Sequence, residues 1–213
     1  IFVGAFALGF FATSPSIRLI LKYVNIDGVT VVTTSPFQLV ELAMSVGFSF
    51  ACIVVIPVFI YYLYLFIKPA LLPKERKIFL LALPLGLLLF LTGFFYSSVM
   101  LYFAIKLIAS VNVTLGVANY WDISAFISQI VITSALLGIL FIFPLIMTFL
   151  IRVGIMTIEF LKSKRKHAIV AIFILVSLLP PTDGLSLVLM AIPLILIFEL
   201  TVFFNRGNSY GRN

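Results

Sequence analysis

The sequence predicts an all-α, polytopic transmembrane protein, and its composition and the spacing of its charges carry that prediction. Of the 213 residues, 63% are hydrophobic and only 10% are charged, and the mean hydropathy is +1.30. Soluble domains average roughly 45–50% apolar and 25% charged residues. The apolar residues also run on for about twenty positions, whereas the strands of an outer-membrane barrel would alternate apolar and polar residues. Soluble, disordered and barrel proteins are therefore excluded.

Runs without an ionisable residue locate the predicted spans. Three runs, 43–67, 78–105 and 123–151, are long enough for one helix each across a hydrocarbon core about 30 Å thick. Two more, 168–182 and 184–198, have only 15 residues apiece. We interpret Ile1–Ala12 as the end of a first helix that starts outside this chain. The prediction is one membrane domain over 1–204 with six spans, at about 1–12, 42–66, 78–105, 123–151, 168–182 and 184–203, and a tail at 205–213.

Proline and capping residues predict how the helices are joined. Pro180-Pro181-Thr182-Asp183-Gly184 removes two backbone donors and fits only a turn, so the last two short spans form a tight outer hairpin. Asp183 is expected to cap the sixth helix. Ser35 and Pro36 have the residue types of an N-cap and a first-turn proline, so the second helix starts just outside the membrane. Asp122 and Ser124 are expected to cap the fourth helix, and 106–121 to form an outer surface loop.

The basic residues predict the orientation. All but three of the 14 Lys and Arg residues lie between the second and third spans, between the fourth and fifth, or in the tail. The positive-inside rule places these segments, and with them both termini, in the cytoplasm. Asp27, Glu41, Asp122 and Asp183 fall on the outer side. The net charge of +7 thus indicates topology rather than nucleic-acid binding, for which we expect no role.

Several kinds of chemistry have no support in the residues. No ionisable residue lies in mid-span and no broken helices recur in matching halves, as an ion-coupled transporter would require. Ser49 in Gly47-Phe48-Ser49 lacks a general base, because the only histidine, His167, falls at a cytoplasmic helix end. No metal or nucleotide motif is present, so we expect neither an enzyme nor a cofactor. An ion-coupled small-molecule transporter or channel stays the alternative function.

Short motifs in a fixed order carry a resemblance that covers essentially the whole chain. They are Ser35-Pro36-Phe37, Phe66-Ile67-Lys68-Pro69-Ala70-Leu71 with Lys74-Glu75-Arg76, Gly93-Phe94-Phe95-Tyr96, the set Gly138, Phe141 and Pro144, Pro180-Pro181-Thr182-Asp183, and Ile192-Pro193 with Phe198-Glu199. Their joint order and spacing resemble the TatC family, the multispanning subunit of the twin-arginine (Sec-independent) protein translocase.

The resemblance implies a function, partners and a location. It implies a receptor and scaffold that binds the twin-arginine signal peptides of folded precursor proteins and recruits single-span TatA/TatB-type subunits into an oligomeric complex. Transport would use the proton-motive force. The chain would lie in the lipid of a bacterial or archaeal plasma membrane, with an organelle inner membrane or the thylakoid membrane as the alternative.

The resemblance also assigns candidate site residues. A twin-arginine signal needs a carboxylate on the cytoplasmic face, because Arg pairs bidentately with carboxylates. Glu75 is the acidic residue of the first cytoplasmic loop, with Phe66, Pro69 and Arg76 around it; the alternative for Glu75 is a solvated loop charge. Further candidates are the hairpin and partner-helix residues Pro180, Pro181, Asp183, Pro193 and Glu199, and the outer-mouth residues Ser35, Pro36 and Glu41.

For two of these acids the residues leave alternatives open. Glu199 is either an interfacial acid that reaches water or a carboxylate that faces a partner or pairs two helices. Glu41 faces either the translocating chain or only solvent. Four positions depart from the family pattern: Ile142 replaces an intramembrane Glu, Gln38 a carboxylate, Pro180 a Thr, and Leu187 a polar residue.

Overall fold

A computed structural model of the chain describes residues 1–13, 29–32, 35–67, 73–152, 154–180 and 183–205. These residues form seven helices and one pair of short strands. In chain order the elements are α1 Phe2–Phe11, β1 Val29–Val32, α2 Gln38–Ile67, α3 Pro73–Thr114, β2 Asn119–Asp122, α4 Ile123–Arg152, α5 Ile158–Ser163, α6 Arg165–Ser177 and α7 Gly184–Phe204. The predicted helical architecture is confirmed.

Four of the helices are long and apolar enough to cross a membrane. The spanning stretches are Gln38–Phe59 of α2, Ala82–Thr114 of α3, Ser124–Arg152 of α4 and Gly184–Phe204 of α7. Helix α1, with 10 residues, and α6, with 13, are shorter than the 18 residues of a candidate span. Four spans are therefore supported by length, and the count of six stays a prediction.

Helix α3 corrects the predicted outer loop. The prediction ended the third span at 105 and placed a loop at 106–121, but α3 continues to Thr114. The prediction was wrong because Lys106 ended the charge-free run, and a lysine is a good helix former that does not stop a helix. The helix ends just before Gly116, whose φ of +74° suits glycine and disfavours other residues.

Helix α6 begins and ends earlier than its charge-free run of 168–182. It spans Arg165–Ser177, so the basic residues form its first turn. Pro180 explains the early end, because a proline ring clashes with the carbonyl four residues before it and disfavours the helical conformation of the residue directly before it. The helical part of α6 is thus only 13 residues long, or about 20 Å.

The chain forms two compact units, and α2, α3 and α4 contribute residues to both. Unit 1 comprises Ile1–Ile56 and Phe95–Leu136. Its apolar core is built on Leu42, Ala109, Phe126 and Ile127. In this unit β1 pairs with β2 in parallel, with Val29 opposite Asn119 and Val32 opposite Asp122.

Unit 2 comprises Pro57–Phe94 and Leu137–Asn213. In this unit α3 and α4 approach closely at two glycines. A Cβ on Gly93 would lie 2.6 Å from Cγ of Phe141, and a Cβ on Gly138 would lie 2.9 Å from the backbone oxygen and ring of Phe90. Small residues let transmembrane helices pack this tightly. Three motif positions of the resemblance, Gly93, Gly138 and Phe141, therefore form one helix–helix contact.

Candidate functional site

The outer-mouth residues form the start of α2. The backbone N–H of Phe37 donates to Oγ of Ser35 over 3.3 Å, and Pro36 lies in the turn that leads into the helix. Ser35 therefore closes the turn before α2, and the helix itself begins at Gln38, two residues later than an N-cap at Ser35 and a first-turn proline at Pro36 would place it. Glu41 is exposed in the first turn of α2, where a negative charge is favourable to the helix dipole.

A buried polar contact in unit 1 joins the start of α2 to the start of α4. Gln38 is 4% exposed, and its Nε2 donates to Oδ2 of Asp122. The hydroxyl of Ser124 donates to the backbone oxygen of Gln38 over 2.9 Å. Oδ1 of Asp122 accepts from the backbone N–H groups of Ser124 and Ala125 at 2.8 and 2.9 Å, which confirms Asp122 as the cap of α4. The prediction was wrong for Ser124, which lies inside the helix and whose hydroxyl bonds Gln38 instead.

A second set of hydrogen bonds in unit 1 joins the start of β2 to the last turns of α3. Nδ2 of Asn112 donates to Oδ1 of Asn119 over 2.8 Å, and Nδ2 of Asn119 donates to the backbone oxygen of Ala109 over 3.1 Å. Asn119 is 4% exposed, so these bonds satisfy a buried amide. Sequence reasoning treated Gln38 only as a departure from the family pattern and missed its partner, because the two residues are 84 positions apart.

The hairpin residues begin α7. Asp183 caps this helix as predicted: its Oδ2 accepts from the backbone N–H of Ser186 over 2.8 Å. Pro193 lies inside α7, and Pro180 directly follows the short turn that ends α6. Pro181 lies outside the described residues.

Glu199 pairs two helices of unit 2. Its Oε2 lies 3.3 Å from a guanidinium nitrogen of Arg165, and the two side chains are 38% and 33% exposed. Arg165 begins α6 and Glu199 lies near the end of α7, so the ion pair joins antiparallel neighbours. The contact favours helix pairing over a free interfacial acid.

An apolar groove of about 430 Å³ opens between α4, α5, α6 and α7 in unit 2. We call this cavity the lateral groove. Its walls are apolar apart from Lys164 and His167 at one end, and Pro144 of the resemblance lies in one wall. Ile142, on the same helix, is 7% exposed and therefore faces the protein interior rather than lipid.

The cytoplasmic-loop candidates lie at the ends of two helices. Phe66 belongs to the last turn of α2, and Glu75 and Arg76 to the first turns of α3. Pro69 lies outside the described residues, as do the side chains of Phe66 and Glu75. Arg76 is half-buried, and its Nε has no hydrogen-bond partner within the described part of the chain. The described residues also contain no group of three or more His, Cys, Asp or Glu that could hold a metal ion.

The chain is similar to a known protein family along most of its length. The family model for the Sec-independent protein translocase protein (TatC) matches residues 1–193. The TatCy protein of Bacillus subtilis is 29% identical over 210 residues, which cover 97% of this chain and 82% of that protein. The TatC protein of Listeria innocua is 32% identical over 94% of this chain and 82% of its own length.

Solved structures agree with the sequence comparisons. A crystal structure described as the twin arginine translocase receptor TatC in DDM superimposes with a TM-score of 0.84 at 27% identity, covering 96% of this chain and 92% of that one. A second crystal structure of the twin arginine translocase receptor TatC gives a TM-score of 0.79 at 30% identity, covering 98% and 92%.

Proposed function

Because the chain belongs to the TatC family of Sec-independent protein translocase proteins, we propose that it is the signal-peptide receptor and scaffold of a twin-arginine translocase. In this proposal it binds folded precursors by their signal peptides at the cytoplasmic face of a plasma membrane. Single-span TatA/TatB-type subunits then join it, and the proton-motive force drives transport. The observation that carries the proposal is the similarity, over 96% of the chain, to a structure described as a twin arginine translocase receptor.

The receptor role requires a carboxylate that meets two arginines. Glu75 belongs to the first turn of α3, which follows the loop that the positive-inside rule places in the cytoplasm. A carboxylate is stable in the first turn because the positive end of the helix dipole favours it. Lys74, Arg76 and Lys77 flank it, so a signal peptide must compete with these cations for the carboxylate. Phe66 and Pro69 would position the loop.

The small-molecule transporter is the less favoured alternative. A transporter places ionisable residues in mid-membrane, and the family's Glu in the fourth helix is the buried Ile142 here. Family membership also favours protein translocation.

The experiment is photocrosslinking of a twin-arginine precursor to the membrane-embedded protein. We expect Glu75→Ala to reduce crosslinking about tenfold or more, since a charge-assisted hydrogen bond is worth roughly 1.5–3 kcal/mol. Glu75→Asp should be intermediate. The matched control is Glu159→Ala, which removes an acid from the first turn of α5 in the other basic loop. Equal crosslinking of Glu75→Ala and the parent would remove Glu75 from the site.

Co-purification tests the scaffold role separately. Mild detergent extraction should recover the chain with twin-arginine precursors and with single-span subunits. Recovery of neither class, under conditions in which a TatC protein from a related bacterium retains both, would contradict the proposed function.

A further inference from the structure

The lateral groove has a buried floor and an exposed rim. Leu194 and Phe198 of α7 form part of the floor and are 5% and 1% exposed. Phe143 of α4 and Leu175 of α6 lie on the rim and are 42% and 43% exposed. In a protein that spans a membrane, an apolar opening of this kind at the surface of the helices faces acyl chains rather than water.

One end of the groove is basic. Lys164 and His167 line it, and the exposed Lys162 and Lys166 lie beside them in the sequence. Arg165 is engaged with Glu199, whereas the ammonium of Lys164 has no carboxylate within 4 Å in the part of the chain that the structure describes. Lys164 is also the N-cap of α6, which has no side-chain cap and no acidic residue in its first turn. Lys164 is the C-cap of α5 as well, so the dipoles of the two helices oppose each other at this residue, and the positive potential comes from the side chains.

We propose that the lateral groove binds an anionic phospholipid, with an acyl chain along its apolar walls and the phosphate at Lys164 and His167. The two ends of the groove match the two ends of such a lipid: apolar walls for the acyl chain, and the ammonium of Lys164 and the imidazole of His167 for the phosphate. The lipid comes from the leaflet beside the basic loop, which the positive-inside rule predicts to be the cytoplasmic one. Basic pockets between transmembrane helices on that side are known to bind anionic headgroups.

The length of the groove favours a lipid over a partner helix. Along α4 the lining runs from Leu140 to Met147, and along α6 from His167 to Leu175. At 1.5 Å per residue these stretches are roughly 10 and 12 Å long, about a third of the hydrocarbon thickness. A spanning helix would leave most of its contact face outside the groove, whereas part of one acyl chain fits within it.

Native mass spectrometry of the detergent-purified full chain tests the proposal. The probes are phosphatidylglycerol and phosphatidylcholine with identical acyl chains, added in equal amounts. We expect the parent to retain phosphatidylglycerol about fivefold better, and Lys164→Gln to remove that preference. Lys166→Gln is the matched control, because it removes the same charge two residues away and Lys166 does not line the groove. Equal retention of both lipids, or equal effects of the two substitutions, would overturn the proposal.

A second pair of measurements locates the acyl chain of the lipid. Ala171 lines the groove and is exposed, so Ala171→Trp fills the cavity without displacing a buried side chain. We expect it to lower retention of both lipids while the midpoint of thermal unfolding stays unchanged. A photoreactive phenylalanine at Phe143 should give adducts with the mass of a phospholipid in native membranes. Adducts with the mass of a single-span protein would overturn the proposal in favour of a helix, and unchanged retention by Ala171→Trp would show that the lipid binds elsewhere.

Discussion

At Gln38 the choice between an amide and a carboxylate decides whether a buried contact is attractive. Gln38 donates to Asp122, and Asp122 also caps α4. A glutamate at 38, closer to the family pattern, would bring two carboxylates together at a site that is 4% exposed. Like charges at short range and burial both disfavour the ionised forms. In this chain the amide of Gln38, which departs from the family pattern, is therefore the group that can donate a hydrogen bond to Asp122.

A compensating substitution at Asp122 checks this pairing. We expect Gln38→Glu to lower the free energy of unfolding by about 1–3 kcal/mol, because a buried donor is lost and a charge is added. Adding Asp122→Asn should recover most of that loss, since an asparagine supplies the donor and still caps a helix. The measurement is thermal unfolding of the purified protein in detergent. If the double variant is no more stable than Gln38→Glu, the Gln38–Asp122 contact does not govern this site.

Gly138 is a position where the missing side chain matters. A Cβ there would lie 2.9 Å from ring atoms and from the backbone oxygen of Phe90, and Phe90 is fully buried. An alanine in a helix interior is favoured over glycine by up to about 1 kcal/mol. Inserting a methyl group into a closely packed contact costs typically about 1–3 kcal/mol. The steric cost exceeds the gain in helix propensity because backbone atoms cannot rotate away.

We therefore expect Gly138→Ala to lower the midpoint of thermal unfolding. Gly4→Ala is the control, because nothing lies within 4 Å of a Cβ at that position in α1. The control should be neutral or slightly stabilising. Equal midpoints for the two variants would mean that α3 and α4 do not pack at Gly138 as described.

At the scale of the elements, residue chemistry predicted helix starts better than helix ends. Asp122 and Asp183 were recognised as capping residues, because an oxygen at an N-cap meets N–H groups two or three residues away. Ser35 was correctly placed before α2, although it bonds within the preceding turn. The end of α3 was missed because Lys106 was treated as a boundary. The pairing of β1 with β2 was not predicted, since it joins segments about 90 positions apart and depends on tertiary structure.

The candidate site was predictable only where local sequence carries it. The lateral groove was not predicted, because its walls come from four helices and its lining residues look like ordinary apolar spans. The sequence did not predict that Glu199 pairs with Arg165 either. The two residues are 34 positions apart, and only the antiparallel packing of α6 and α7 brings them together. Composition shows that a residue is charged but not which helix faces it.

Helix α6 is too short to cross an ordinary bilayer by itself. Its 13 residues extend about 20 Å against a hydrocarbon core of about 30 Å. Basic residues in its first turn can reach the interface with long side chains, and the bilayer can thin beside it. Asp183 at the start of α7 cannot enter the hydrocarbon cheaply, so we expect local thinning beside this helix pair.

Lengthening α6 and α7 by four apolar residues each, about one turn, tests the role of this thinning. We expect signal-peptide binding to persist and transport of a folded precursor to fall, because a thicker local bilayer raises the barrier to a transient passage. The control inserts four residues after Asn205, beyond the end of α7. The readouts are crosslinking to a precursor and appearance of the precursor outside the membrane. Normal transport by the lengthened protein would show that the short helix has no mechanistic role.

At the scale of the whole molecule, the side on which each helix end lies follows from how many helices cross the membrane. Four helices are long enough to cross: α2, α3, α4 and α7. Whether the shorter α6 also crosses decides on which side the two ends of α7 lie. If α6 crosses, Leu178 after its end lies on the outer side and Phe204 at the end of α7 lies in the cytoplasm. If α6 stays at the cytoplasmic surface, Leu178 lies in the cytoplasm and Phe204 lies on the outer side. The positive-inside rule favours a crossing α6, because the basic loop and the basic tail then share the cytoplasmic side.

Single cysteines labelled from outside intact cells distinguish these two arrangements. The background is Cys52→Ser, which removes the only cysteine of the sequence. Thr114→Cys and Leu178→Cys, both at exposed positions, should react with a membrane-impermeant thiol reagent, whereas Ser163→Cys and Phe204→Cys should react only after the membrane is opened. Labelling of Phe204→Cys but not of Leu178→Cys in intact cells would contradict six spans and place α6 on the cytoplasmic surface. The candidate span between Thr114 and Ser163 is α4, so these two positions verify the orientation independently of α6. An inverted protein and a non-spanning α6 therefore give different labelling patterns.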